Sequence, residues 1–246
     1  MRPGTFLTGA WRWLAMLNWR VDPALLTPLV PRGTELDAWN GTTYVSVVGF
    51  LFRDTRVLGI PIPFHRDFEE VNLRFYVRRE ARGAGGEVRR AVTFVREIVP
   101  RRAIAHVARL AYNEPYVALP MRHELGAIGG PDAAPAVVEY GWRLPGGWSR
   151  LRVRPTGPAR AIADGSEEEF ITEHYWGYTR QRDGGTVEYQ VAHPRWRVSS
   201  VGEATLAADV ATLYGPAFAA VLASPPDSAF LAEGSAIAVH MPRRIS

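Results

Sequence analysis

Asn72, Arg74 and Tyr76 stand at alternate positions between Val71, Leu73, Phe75 and Val77. In an extended backbone, alternate side chains share a face. An amide, a fixed cation and a phenol would therefore project together, opposite an apolar face. Arg suits a carboxylate, because its planar fork donates to both oxygens at once. Taken alone, this face either lines a pocket or meets solvent. Arg96 and Glu97 lie on opposite faces of the apolar run Val92 to Val99. One of them points inward, and a buried charge needs a partner. The pair is read as a structural ion pair, as Arg96 holding a ligand carboxylate, or as Glu97 acting as a general base. His193 and Trp196 flank Pro194 at a strand break. An imidazole there exchanges protons near neutrality, or simply packs. Tyr112, Tyr116, Tyr175 and Tyr178 put polar tips on apolar bodies, which suits a pocket or a core. Glu69 and Glu70 are adjacent, so they face opposite sides of a strand and are no catalytic pair by themselves.

Other chemistries have no footing in the sequence. The six His residues show no paired spacing with carboxylates that argues for a metal. There is no nucleophile elbow, phosphate loop or dinucleotide fingerprint. The expectation is no metal and no cofactor.

Positioning these groups falls mostly to strands. Asp22-Pro23 opens a short helix to Leu29, since Asp caps well and Pro suits the first helical position. Thr34 to Ala38 and Thr42 to Arg53 flank Trp39-Asn40-Gly41, a hairpin signal. A Pro-rich loop, Gly59 to Phe64, precedes the strand Val71 to Arg78. Ala81 to Gly86 reads as a Gly-rich turn, and Val88 to Val99 as a strand. Arg101 to Ala111 has helical spacing at Ile104, Val107, Ala108 and Ala111. Tyr116 to His123 returns to strand, and Gly126 to Ala134 reads as a flexible connection. Val137 to Leu144 and Ser149 to Val153 flank a second hairpin turn at Pro145-Gly146-Gly147. Ser166 to Tyr175 begins as a helix with a capping box to Glu169. Val187 to Ala192, Trp196 to Glu203 and Ile237 to Met241 read as strands, and Leu206 to Tyr214 as a helix. Strands outnumber helices and alternate cleanly. The expected fold is mainly β with some α: an antiparallel β-barrel with a few peripheral helices, in one domain over residues 1–246.

Composition narrows the function further. All 29 basic residues are Arg, with no Lys and no Cys. Disulfides, thiolate metal sites and Cys nucleophiles are closed to the chain. Guanidinium does not give up its proton in a protein, so no side chain here can form a Schiff base. The net charge is only +4 and the Arg residues are scattered. Arg150, Arg152 and Arg154 read as a solvated strand face rather than a phosphate-binding stripe, so nucleic acid ranks last as a partner. The stretch Phe6 to Leu17 is broken by Trp11 and Arg12, which argues against a secretory signal. No window reaches the roughly 18 apolar residues of a membrane helix. The expected location is cytoplasmic, with no membrane partner. Leu206 to Ala223 is apolar on more than one side and packs on the barrel or on a second copy, which leaves a homo-oligomer open.

Four stretches together resemble one family. They are Trp19 to Leu26 running on through Gly33 to Asp37 and Gly41 to Phe50; Glu70 to Val77; Ala108-Arg109-Leu110 to Pro115-Tyr116; and Phe170 to Tyr175 followed by His193 to Trp196. Their order and spacing resemble the YqjF-like bacterial family, a domain of unknown function in the acetoacetate-decarboxylase-like superfamily. The resemblance implies a mainly antiparallel barrel around a small-molecule cavity. In the decarboxylases, a lysine after the Pro of a Gly-x-Pro-Lys-Lys segment forms an imine with the substrate ketone. The matching stretch here is Asn113-Glu114-Pro115-Tyr116-Val117, so Tyr116 stands in the lysine's place, and a Tyr cannot form the imine.

On this resemblance Asn72, Arg74, Tyr76 and Tyr116 face the pocket, and Glu70 lies at its rim. The ligand carries a carboxylate or carbonyl met by Arg74 or Arg96, with Tyr175 and Trp196 as further contacts. His193 or Glu70 carries any proton transfer. The chain is then an enzyme using acid–base or electrostatic catalysis, or a non-catalytic sensor or carrier with the same cavity.

Overall fold

Alternating apolar and polar residues draw most of this chain into strands, as a computed structural model shows for residues 4–81, 86–127 and 134–245. The side chains of residues 107–111 lie outside that description. The strands are β1 Thr5–Val21, β2 Glu35–Leu36, β3 Thr43–Val57, β4 Ile60–Pro61, β5 Phe68–Glu80, β6 Val88–Val99, β7 Tyr116–Ala118, β8 Met121–Leu125, β9 Val138–Leu144, β10 Gly147–Pro155, β11 Arg160–Ala161, β12 Trp176–Arg180, β13 Thr186–Ala192, β14 Arg197–Ala207, β15 Ser228–Ala232, β16 Ala236–His240 and β17 Arg243–Arg244. The helices are α1 Pro23–Leu26, α2 Arg102–Tyr112, α3 Glu167–Thr172, α4 Val210–Tyr214 and α5 Pro216–Leu222, with a 3-10 turn at Thr27–Leu29.

The fold is mainly β. Starting at β6, antiparallel pairing runs through β5, β3, β1, β16, β13 and β12. β12 then pairs with β6 in parallel, so the pairings return to the strand they began from. β7 also pairs with β6 in parallel. The system is therefore mixed, which corrects the expectation of antiparallel pairing throughout. Parallel neighbours arise here because β6 reaches β7 through the helical crossover α2, not a tight turn.

Side-chain alternation divides the apolar residues between two faces. Leu14, Met16, Val48, Phe50, Phe52, Phe68 and Trp196 belong to one buried cluster, around the cavity described below. Ala15, Leu17, Val45, Val47, Leu73 and Phe75 belong to another. That second face is covered by Tyr140, Trp142, Leu151 and Val153 from β9 and β10. Val210, Leu213, Phe218 and Leu222 from α4 and α5 complete the cover. The apolar stretch ending at Ala223 thus packs on the sheet.

Most local expectations hold, with instructive exceptions. Asp22 caps α1 by accepting from the Ala24 N–H at 2.8 Å. Asn40 and Gly41 both take positive φ, as a tight turn requires. The turn closes only the bridge Trp39–Thr42, however, and β2 leaves to pair with β5. The Tyr116 to His123 strand is split into β7 and β8 at Leu119-Pro120, where Pro lacks a ladder donor. Leu206 is still in β14, so the helix starts at Val210, where Asp209 accepts from the Thr212 N–H at 3.1 Å. The N-terminal stretch Thr5–Val21 is the longest strand, unread in the sequence because its residues are apolar on both faces. Parts of the Ala81–Gly86 turn and of the Gly126–Ala134 connection lie outside the described residues. Among the described residues, no helix is long and apolar enough to cross a membrane.

Candidate functional site

β5 delivers most of the polar groups to one place. Phe68, Glu70, Asn72 and Arg74 alternate inward and line a cavity of about 210 Å³. Its walls are largely apolar, with Trp11 and Leu14 from β1, Phe50 and Phe52 from β3, and Val92 and Phe94 from β6. Phe52 stacks on Phe68 at 4.6 Å between ring centres.

A β-bulge in β6 decides which charge enters. Arg74 pairs with Phe94, but Leu73 pairs with Arg96, so Val95 is the extra residue and the alternation slips by one. Val92 and Phe94 face the cavity, and after the bulge Glu97 faces it too, opposite Asn72. Arg96 is turned to the other face with Leu73, near Tyr214. Arg96 is thus absent from the cavity lining, and its expected ligand contact is corrected. A single inserted residue inverts every side chain beyond it.

The third polar group comes from the end of α2. Asn113 adopts φ 57°, a left-handed conformation that Asn tolerates, and its Nδ2 donates to the Arg180 carbonyl at 2.9 Å. The turn brings Glu114 and Tyr116 into the cavity lining. The Tyr116 hydroxyl donates to Glu70 Oε2 at 3.0 Å, and Asn72 Nδ2 donates to Glu70 Oε1 at 3.0 Å. Glu114 Oε1 accepts from the Tyr189 hydroxyl at 2.8 Å and from Thr179. Tyr189 can lie there only because β12 has glycine opposite it: a Cβ on Gly177 would sit 2.2 Å from the Tyr189 ring.

Glu70, Glu97 and Glu114 are 3 %, 2 % and 4 % exposed. Burial disfavours their charged forms. It lifts the Glu70 pKa to about 7, against the hydrogen bonds from Asn72 and Tyr116 and the nearby Arg74 charge. Burial lifts Glu114 to about 7 as well, against hydrogen bonds from Thr179 and Tyr189. Glu97 is pushed well above the usual carboxylate range by burial and then by Glu114 and Glu70, which the Tyr116 hydroxyl opposes in part. Burial, and then the neighbouring carboxylates, also keep Tyr116 protonated. Glu70 and Glu114 can therefore hold and exchange protons near neutral pH, a property of functional carboxylates.

Arg74 supplies the positive counterpart. Its Nη2 donates to the Ile171 carbonyl at 3.3 Å, while its Nε is buried with no hydrogen-bond partner. His174 also lines the cavity, with neither ring nitrogen hydrogen-bonded. Its Nε2 lies 3.7 Å from Asp37 Oδ2, an electrostatic contact too long for a hydrogen bond. Burial lowers the His174 pKa to about 4, against the pull of Asp37, so the ring is neutral. Against the opposing effect of burial, Asp37 is held at about 2 by the nearby His174 ring and by the hydrogen bond from Arg90 Nε at 2.8 Å.

The other expected residues divide. His193 and Trp196 line the cavity, stacked at 4.2 Å. His193 Nδ1 contacts the Pro194 carbonyl at 2.9 Å, and burial lowers its pKa. Tyr76 shares the inward face of β5 but lies outside the lining: its hydroxyl bonds Ser46 Oγ at 2.6 Å and its ring lies 4.7 Å from His174. Tyr175 is also outside the lining, with its hydroxyl on Glu173 and its ring 4.7 Å from His193. Sequence reasoning passed over Glu114 and His174 as candidates, although both sit in stretches already quoted. The signal was there for Glu114: a carboxylate one residue before the Pro that precedes Tyr116.

The chain's architecture matches the acetoacetate-decarboxylase-like fold. An acetoacetate decarboxylase from Legionella pneumophila superposes with TM-score 0.65 at 12 % identity, covering 100 % of this chain and 89 % of that one. An acetoacetate decarboxylase-like enzyme from Sphingomonas wittichii gives 0.66 at 15 %, covering 99 % and 94 %. The enduracididine biosynthesis enzyme MppR complexed with pyruvate gives 0.67 at 12 %, covering 100 % and 92 %. Identities this low establish the fold alone. Within that fold the chain belongs to DUF2071, a family described as an uncharacterized conserved protein, whose model matches residues 8–236. The uncharacterized protein YqjF of Bacillus subtilis is 40 % identical over 68 residues, covering 27 % of this chain and 28 % of that protein.

Proposed function

We propose that this chain is a single-domain β-barrel enzyme that performs acid–base chemistry on a compact carbonyl compound held in the cavity. The observation that carries the reading is Arg74. Its buried Nε is a charged donor with nothing to donate to, in the lining of an otherwise apolar cavity that Glu70 shares. A buried unsatisfied donor costs about 1–3 kcal/mol, which a ligand oxygen would relieve. A carbonyl oxygen accepting from Arg74 has its developing negative charge stabilised. Glu70 takes a proton from the carbon beside the carbonyl and returns it, with Tyr116 and Asn72 orienting its two oxygens. A group titrating near the working pH is suited to both halves of that exchange. Pyruvate, named with one structural neighbour, is itself a carbonyl compound. With no Lys in the chain, the carbonyl is polarised by hydrogen bonding rather than converted to an imine.

The test is a thermal-shift screen of small ketones, aldehydes and keto acids, followed by exchange of the ligand's α-hydrogens in heavy water, read by NMR. Wild type should bind and exchange, Glu70→Gln should bind without exchange, and Arg74→Ala should do neither. Binding without exchange in wild type would instead mark a sensor or carrier. Arg74→Ala binding as well as wild type would end the reading. Exposed arginines such as Arg66, Arg78, Arg154 and Arg160 are paired with carboxylates, which leaves little free charge for nucleic acid.

A further inference from the structure

The cavity offers more acceptors than a carbonyl compound can use. Asn72 Oδ1, Glu97 Oε2 and Glu114 Oε2 are all buried without a hydrogen-bond partner, and all three residues line the cavity. Among the described residues, the lining also holds unpaired donors: the charged Arg74 Nε, Trp11 Nε1, the Thr55 hydroxyl and one N–H of the neutral His174 ring. Asn72 is decisive because it is neutral. Its carbonyl oxygen can only accept, and the side chain is 2 % exposed. Buried polar atoms in folded proteins are almost always paired, so three orphan acceptors in one lining mark the place of a missing donor.

We propose that the ligand carries, besides its oxygen, a positively charged amino group received by Asn72, Glu97 and Glu114. This rests on the preceding reading for the site and for the role of Arg74. An ammonium has three donors, which matches three acceptors. Hydrogen bonds between an ammonium and carboxylates are charge-assisted and stronger than neutral ones. Beyond burial, Glu114 and Glu70 raise the proton affinity of Glu97, and Glu70 raises that of Glu114, so a bound cation would take the proton's part. Tyr116, Tyr189 and Trp176 also line the cavity, and aromatic faces attract cations. Among the described residues no group of three His, Cys, Asp or Glu could hold a metal ion, which favours an organic cation. The substrate class is therefore a small amino carbonyl compound with an apolar body, with its oxygen at Arg74 and its nitrogen at the carboxylates.

Calorimetric titration at about pH 8 separates the two ends, because a primary amine is still protonated there. The probes are benzylamine, which has the nitrogen alone, and acetophenone, which has the oxygen alone. Wild type should bind both. Glu97→Gln should lose about tenfold or more in benzylamine affinity relative to acetophenone, as expected for a charge-assisted bond. Arg74→Ala should show the reverse preference. Glu114→Gln repeats the benzylamine loss in a second background, and thermal melts confirm that each variant folds. Benzylamine failing to bind, or binding equally to wild type and Glu97→Gln, overturns the amino group while acetophenone binding through Arg74 leaves the carbonyl reading standing. Acetophenone binding that ignores Arg74→Ala overturns the carbonyl reading itself, whatever benzylamine does.

Discussion

Replacing Glu70 by Gln should make the protein more stable at alkaline pH, and the size of the effect follows from its surroundings. The Glu70 carboxyl has an ordinary pKa of 4.5 and is lifted to about 7 in the fold. The native state thus binds more protons than the unfolded chain between those values. Its contribution is complete below pH 4.5 and is lost as pH rises through about 7. A shift of this size corresponds to roughly 3 kcal/mol of differential stability. Gln keeps the shape and an acceptor for Tyr116 or Asn72, yet cannot ionise. His174 acts in the opposite direction: its pKa is lowered to about 4, so its contribution is present above its unfolded pKa and is lost as pH falls through about 4. The wild-type profile mixes these slopes with those of Glu97 and Glu114, and the difference between the two proteins reports Glu70 together with its effect on those two carboxyls. The assay is urea unfolding of wild type and Glu70→Gln at half-unit steps from pH 4 to 9. The gain in stability of the variant should grow across pH 4.5 to 7, approach about 3 kcal/mol and then level off. A difference that is flat, or that shrinks with rising pH, refutes the burial argument for the whole carboxylate cluster.

Three further outcomes test other parts of the structure. Gly177→Ala should destabilise the protein by about 1–3 kcal/mol in chemical denaturation, since its Cβ would meet the Tyr189 ring at 2.2 Å. Glu188→Gln should cost about 3 kcal/mol by the same measurement, because fully buried Glu188 is the shared partner of Arg79, Arg89 and Arg243. The loss should persist at high salt, since buried pairs are screened little. Borohydride added with a bound ketone should leave every side chain unmodified by mass spectrometry, because the chain has no Lys.

Several features are legible in the sequence alone. Alternation along Val71 to Arg78 put Asn72 and Arg74 on one face, because strand periodicity is local. The Asp22 cap and the Asn40-Gly41 turn were readable for the same reason: each is decided within a few residues. The absence of Lys excluded an imine on any side chain, and no fold could have changed that. The placement of Arg96 and Glu97 was different. Their order in the chain says only that they face opposite ways. Which one enters the cavity depends on the bulge at Val95, a register choice made jointly by β5 and β6. The Glu70–Glu97–Glu114 cluster was likewise invisible. Its members come from β5, from β6 and from the turn after α2, so only the tertiary structure brings them together. Residue chemistry belongs to the sequence, while proton affinity depends on burial and on neighbours distant in the chain, and so it is set by the fold.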